Sequence, residues 1–143
     1  YCTVVVADRP IGSPIVNVPT NILVMNRPSM AKFEFSVKPG GALIINSSLI
    51  PDRTSRTDIL EVLVPCNEIS IKYTGTSRSA NIAGLGAIVG ATEMVPKELV
   101  VAFLSGKFKK NPQVLESNLA IFEESYKIGA QARAAWMAKK GGN

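Results

Sequence analysis

The chain contains no histidine and only two cysteines, Cys2 and Cys66, with no Cys-x-x-Cys pair. Without imidazole no Ser-His-Asp triad can be built, and zinc sites resting on His and Cys are excluded. An iron–sulfur cluster needs four thiolates or close substitutes, so this chain alone cannot hold one. Two unmatched thiols suit a reducing compartment better than a disulfide scaffold. Aromatic residues make up only 6% of the chain, which is poor material for the cation-and-aromatic stripe of a nucleic-acid binder. Long apolar runs are missing as well. The longest, residues 82–91, is about half of what a membrane-spanning helix needs and carries Gly84, Gly86 and Gly90. No secretory leader is visible at Tyr1, so a cytoplasmic protein is expected, with neither membrane nor nucleic acid as its partner.

What is present fits one ordinary domain. The chain has 143 residues, of which 46% are apolar and 19% charged, enough Val, Ile and Leu to bury a single core. The formal net charge is +5. The cations are scattered, apart from Lys107, Lys109, Lys110 and the terminal Lys139 and Lys140. That pattern reads as a solvated basic surface, or as one that meets an acidic partner or a phosphate-bearing ligand.

Along the chain, periodicity predicts strands alternating with short helices, then helices in succession. Residues 3–6, a β-branched run, read as a buried strand. Residues 8–20 are punctuated by Pro10, Gly12, Pro14 and Pro19 and read as loop. Strands are expected at 22–25, 42–46 and 59–64, the second continuously apolar, as a strand covered on both faces should be. A short helix is expected at 29–35, with Asn26 or Ser29 as cap and Pro28 in its first turn. Residues 49–57 read as loop and 67–73 as another short helix. From Thr76 the pattern turns helical. Ser77 or Ser79 caps a segment to Thr92, and Pro96 opens one to Gly106. Asn111 and Pro112 start the longest, with Gly129 as a weak point and Gly141, Gly142 and Asn143 as a frayed end. The fold class is therefore α/β, a layered fold with a central mixed, mostly parallel sheet and a helical C-terminal layer. One domain over residues 1–143 is expected. Its abrupt opening in a strand suggests a fragment.

The informative polar residues follow strands. Asn26 and Arg27 come after the strand at 22–25; Asn46, Ser47 and Ser48 come at the end of the strand at 42–46. Ligands and partners of open α/β sheets gather beyond the carboxyl ends of the strands, so these five are the candidate binding residues. The competing explanation is that Asn and Ser simply end strands and cap helices. The run from Gly84 to Gly90 has dinucleotide-like spacing, but the segment before it is already helix-like, and a small-residue packing face is the better explanation. Cys66 opens a helix, yet no histidine can serve as its base. Glu123, Glu124 and Lys127 read as helix-surface pairs. No acid/base couple emerges, so no catalytic and no metal-ligating residue is assigned.

Particular strings carry a resemblance. Asp8-Arg9-Pro10-Ile11-Gly12-Ser13-Pro14, Asn21 through Ser29 with Lys32-Phe33, and Lys38-Pro39-Gly40-Gly41 through Ile45-Asn46-Ser47-Ser48 are similar to the gamma subunits of 2-oxoacid:ferredoxin oxidoreductases. So are Val64-Pro65-Cys66-Asn67-Glu68, Ala80 through Ala87, and Asn118 through Phe122 followed by Tyr126-Lys127-Ile128-Gly129. The family's opening Gly-Gly-Gln-Gly segment and its Arg-Gly-Gly stretch are absent.

The resemblance implies a subunit of a complex that converts a 2-oxoacid and coenzyme A to acyl-CoA and carbon dioxide and reduces ferredoxin. It implies thiamine diphosphate and magnesium on alpha- and beta-type partner subunits. Iron–sulfur clusters would be carried by other subunits, including a ferredoxin-like delta chain. It gives this chain a structural role or one on the approach of coenzyme A, and Asn26, Arg27, Asn46, Ser47 and Ser48, singled out by their place after strands, are the interface or coenzyme A-side candidates. Two alternatives stand beside it: a free-standing nucleotide-binding protein using residues 84–90, and a non-catalytic interaction module.

Overall fold

The computed structural model describes residues 1–13 and 15–142. Its sheet holds β1 (Asn21–Val24), β2 (Ala42–Asn46) and β3 (Leu60–Val64) in the order β1-β2-β3. Val24 pairs with Ile45 and Asn46 with Val64, and both ladders are parallel. The mixed sheet expected from sequence is thus wholly parallel among the described residues. The central strand β2 is buried at every position, because its two faces are covered and its two edges are paired. The edge strand β3 alternates, with Leu60, Val62 and Val64 buried and Glu61 and Leu63 half-buried.

The helices are α1 (Arg27–Phe33), α2 (Cys66–Thr74), α3 (Ala80–Thr92), α4 (Lys97–Phe108) and α5 (Pro112–Gly141), with a 3-10 turn at Glu34–Ser36 after α1. The sheet separates two apolar layers. On one side of the sheet Ala42, Ile44, Leu60, Val62 and Val64 pack with Ala83, Ala87, Leu104, Ile121 and Phe122 from the helices. On the other, Val24, Leu43 and Ile45 pack with Met30, Val37, Ile50 and Ile59. One short helix and the crossover 47–59 close that second side.

The run containing Gly84, Gly86 and Gly90 lies inside α3. No strand leads into it, so the strand–turn–helix that a dinucleotide fingerprint requires is missing. A methyl on Gly86 would meet Ser125 Oγ and the Phe122 carbonyl. One on Gly90 would meet the Tyr126 carbonyl, and one on Gly129 the Ala87 carbonyl. Glycine here lets two helix backbones touch. Gly129 was expected to weaken α5; instead it sits buried in an unbroken helix, because its missing side chain is what admits α3.

Other expectations shift. Residues 3–6 form no strand: Val4 and Val6 are exposed, and the run has no ladder partner among the described residues. A β-branched run needs a neighbouring strand for its amides. Tyr1 instead packs its ring edge on Phe33 at 5.2 Å. Ser79 occupies the N-cap position of α3, but its side chain makes no cap; its N–H donates to Ser70 Oγ at 3.0 Å. Glu124 pairs across elements, accepting from Lys72 Nζ at 2.8 Å and Tyr73 Oη at 2.6 Å. Glu123 meets Lys97 at 2.6 Å more closely than Lys127 at 4.0 Å. The expectations for Pro14 and Asn143 fall outside the described residues.

Candidate functional site

Parallel strands bring their carboxyl ends to one edge, so Asn26 with Arg27, Asn46 with Ser47 and Ser48, and Cys66 with Asn67 all lie along it. β1 and β2 are the parallel neighbours on which the sequence reading depended.

Asn46 is completely buried. Its Oδ1 accepts from the Cys66 N–H at 3.1 Å and the Ser48 N–H at 3.3 Å, while its Nδ2 donates to Asn67 Oδ1 at 3.0 Å. Ser48 Oγ accepts from the N–H groups of Asn67 at 3.1 Å and Glu68 at 3.4 Å and donates to Glu68 Oε2 at 2.8 Å. Pro65, at the N-cap of α2, offers no side-chain cap. The orphan amides of α2 are therefore satisfied from the end of β2, twenty residues earlier in the chain. Asn26 does the same locally for α1, its Oδ1 accepting from the Ser29 N–H at 2.9 Å. Ser47 donates its main-chain N–H to the Val64 carbonyl at 2.9 Å and is half-buried.

Arg27 points outward. Its Nε and Nη2 donate to the two carboxylate oxygens of Asp52 at 2.7 and 3.0 Å, and its side chain is 68% exposed. The pair lies at the mouth of a cleft of about 380 Å³, lined further by Met30, Glu34, Arg53 and Ser55. An ion-paired loop forms its floor. Glu34 Oε1 accepts from Thr54 Oγ1 at 2.7 Å; Arg53 Nε donates to Glu61 Oε1 and the Thr54 N–H to Glu61 Oε2, both at 2.6 Å. Arg56 grips Asp58 at 2.6 Å and the Val37 carbonyl at 2.6 Å. The Glu61 carboxylate raises the Arg53 guanidinium pKa, chiefly by hydrogen bonding, and Arg56 holds the Asp58 carboxyl below its ordinary range.

The arrangement offers hydrogen-bond donors and charge to a cleft open to solvent. Two guanidinium groups on an open cleft can exchange a carboxylate for a phosphate with little rearrangement. The carboxylates on this cleft, Glu34 and Asp52, are taken up by Thr54 and Arg27, and the one carboxylate–phenol pair described, Glu124 with Tyr73, lies on α5 and α2 away from it. Cys66, which a helix N-terminus could have activated, is buried, and burial with the nearby Glu68 charge pushes its thiol up to about 12 against a backbone hydrogen bond that lowers it. It stays a neutral thiol. Among the described residues no three His, Cys, Asp or Glu side chains converge to hold a metal ion, and no helix is long and apolar enough to cross a membrane.

The structure brings Asn46 and Ser48 together on α2 and sets Asn26 and Arg27 at the neighbouring strand end. Sequence reasoning missed Asp52, Arg53, Glu34 and Glu61. The signal was the alternation of charge from Asp52 through Asp58, where two cations, Arg53 and Arg56, and two anions fall within seven residues, six of them in the stretch read as loop.

The family model described as "Pyruvate ferredoxin/flavodoxin oxidoreductase" matches residues 1–128. The chain is 32% identical over 127 residues to ketoisovalerate oxidoreductase subunit VorA of Methanothermobacter marburgensis, covering 85% of this chain and 25% of that protein. It is 26% identical over 129 residues to 2-oxoglutarate synthase subunit KorC of Methanocaldococcus jannaschii, covering 90% and 68%. Among solved structures it is similar to the 2-oxoglutarate:ferredoxin oxidoreductase of Magnetococcus marinus with 2-oxoglutarate, coenzyme A and succinyl-CoA bound, at a TM-score of 0.67 and 21% identity over 78% of this chain and 20% of that one. It is likewise similar to the gamma subunit of a keto/oxoacid ferredoxin oxidoreductase from Geobacter sulfurreducens, at 0.59 and 22% over 81% and 64%. At those identities the structural likeness concerns the fold. The chain spans a quarter of VorA and a fifth of the Magnetococcus chain.

Proposed function

The chain belongs to the pyruvate ferredoxin/flavodoxin oxidoreductase family, and from that membership we propose that it is the gamma-type component of a 2-oxoacid:ferredoxin oxidoreductase. The reach of the match carries this reading: residues 1–128 include all three described strands, α1 to α4 and more than half of α5. In such a complex a 2-oxoacid and coenzyme A become acyl-CoA and carbon dioxide, and two electrons pass to ferredoxin. Thiamine diphosphate, magnesium and the iron–sulfur clusters would sit on alpha-, beta- and ferredoxin-like delta-type partners. This chain's two cysteines, one exposed and one buried, are too few thiolates for a cluster.

The part left to this chain is to pack against the thiamine-binding pair and to shape the approach of coenzyme A, which supplies the acyl-accepting thiol. The donor set at the strand edge fits a phosphate-bearing ligand. Arg27, exposed and paired among the described residues with Asp52, would release that carboxylate to a phosphate, with Arg53 and Ser55 on the same cleft and Ser47 at the end of the neighbouring strand β2. Asn26, Asn46 and Ser48 would act by holding α1 and α2 in place, since their polar atoms already cap those helices.

The reading is tested on the tagged chain purified with its partners from its own cells, assayed for 2-oxoacid- and coenzyme A-dependent reduction of a viologen dye. Activity with co-purifying thiamine-binding subunits is the expected result, and the 2-oxoacid that supports it names the substrate. A preparation with neither partner nor activity overturns the reading. Within an active complex, Arg27→Ala and Ser47→Ala test the coenzyme A side without removing a helix cap. The apparent KM for coenzyme A should rise about tenfold for Arg27→Ala, the worth of one charge-assisted hydrogen bond. An unchanged KM removes the strand edge from the coenzyme A path.

A further inference from the structure

α3 and α5 run side by side in the same direction. Gly86 meets α5 at Phe122 and Ser125, and Gly90, one turn on, meets it at Tyr126 and Ala130. Two parallel helices cannot be joined by a tight turn, so the chain must travel back before α5 begins, and α4 is that return. Its 12 residues against the 13 of α3 give nearly equal lengths, roughly 18 and 20 Å. A return helix needs one apolar side, which here buries Val100 and Leu104. It needs none on the other. Yet Leu99 and Phe103, one turn apart on the outward side, are 64% and 63% exposed.

Immediately beyond them come Lys107, Lys109 and Lys110, all exposed. None of the three forms an ion pair among the described residues. Lys107 Nζ stands 5.8 Å from the Phe103 ring. Attraction of a cation to the carboxyl end of a helix accounts for one such lysine; it does not account for an exposed Leu-Phe pair beside three. Glu98, exposed beside Leu99 in the first turn, is the one anion on this helix; exposed aromatic and aliphatic anchors with three cations at one end are the composition of a docking surface.

We propose that the outward face of α4 docks an acidic face of the thiamine-binding subunits of the complex, with Phe103 as the inserted anchor and the three lysines as the complementary rim. The inference rests on the gamma-type reading and adds to it the surface and the charge of the partner. A second copy of this chain is a poor occupant, because two such faces would set like charges opposite one another. A nucleic acid is a poor one too: Phe108, the aromatic inside the lysine run, is half-buried and packs into the core, so it cannot stack on a base.

The test uses the active complex and two variants of the tagged chain, Phe103→Ala and the triple Lys107→Glu, Lys109→Glu, Lys110→Glu. The affinity of each chain for the purified thiamine-binding subunits is measured at low and high salt. The triple variant should bind about tenfold or more weakly at low salt and lose most of the salt dependence of the wild type. Phe103→Ala should weaken binding about tenfold with the salt dependence kept. Because these side chains are exposed, the thermal midpoints of the free chains should stay at the wild-type value. Wild-type affinity in both variants, within a complex that assembles and turns over, overturns the docking face and leaves the gamma-type reading intact. A wild-type chain that binds no thiamine-binding subunit removes both. Salt-dependent binding of a single-stranded oligonucleotide that the triple variant loses, with subunit affinity unchanged, assigns the lysines to nucleic acid and also overturns the proposal.

Discussion

The two sides of the sheet are closed by opposite means. On one, α3 and α5 meet backbone to backbone over Gly86, Gly90 and Gly129, and Ala83, Ile121 and Phe122 are fully buried. On the other, α1 and the crossover 47–59 lie over a smaller apolar layer. They are fastened by Arg53 to Glu61, Thr54 to Glu34 and Arg56 to Asp58. On the first side the α3–α5 contact leaves no space even for a methyl group at those three glycines. The second is held by interactions that water, salt or a ligand can replace, and it carries the cleft. Rigidity and adaptability are thus divided across a single sheet.

Gly86→Ala is the most direct way to break that division. The added methyl would strike Ser125 Oγ and the Phe122 carbonyl, and the expected loss is about 3 kcal/mol or more in urea unfolding. Gly84→Ala is its control. There the methyl meets the tip of the Leu23 side chain at 2.8 Å, a group that can rotate away, and about 1 kcal/mol or less is expected. Equal costs would mean that backbone contact does not set the α3–α5 distance.

Asn46→Ala should rank next. It leaves the Cys66 N–H and the Asn67 amide without their partner in a buried setting, at a cost of about 2–3 kcal/mol by the same unfolding measurement. A loss below about 0.5 kcal/mol would mean that Ser48 alone suffices as a cap.

The rigid side carries a titratable latch at Glu124, and pH should reveal it. Hydrogen bonds from Lys72 first, then Tyr73, hold the Glu124 carboxyl below its ordinary value of 4.5. The folded state therefore takes up this proton less readily than the unfolded one. Its stabilisation is complete above pH 4.5 and is lost as pH falls through the lower folded value. Thermal midpoints followed downward from neutral pH should fall more steeply for the wild type than for Glu124→Gln; parallel curves would remove the latch. The smallest effect belongs to Arg27→Ala, whose exposed pair with Asp52 should change stability by no more than about 0.5 kcal/mol. A larger loss would make Arg27 part of the frame and weaken its assignment to a ligand.

The sequence made the sheet legible because burial on both faces leaves an unbroken apolar run, as in Ala42 to Ile45, and because a capping residue, Asn26 or Ser29, around Pro28 marks a helix start, with Asn26 the cap in the structure. The small-residue run at 84–90 was legible as packing, although its partner, the face of α5 around Gly129, was not: a glycine inside a helix looks like a weakness until the neighbour it admits is known. Residues 3–6 misled for the reverse reason, since β-branching records a preference for strands and not the presence of a strand to pair with. The candidate site was half visible. Asn26, Arg27, Asn46, Ser47 and Ser48 were found from their place after strands. Their caps, and the carboxylates of Asp52, Glu34 and Glu61, depend on contacts across the sheet edge that no local spacing encodes.

The place of β2 between two parallel neighbours has a consequence in time. Each of its ladders closes only after a crossover has been drawn in, residues 25–41 on one side and 47–59 on the other. Neither ladder can zip from a hairpin, so both wait on chain closures of some fifteen residues whose entropy is lost before any contact rewards it. Both closures must be made before this strand, the most strongly apolar segment of the sheet, is paired on both edges. Until that moment Ala42 to Ile45 is the stretch most in need of protection from other chains.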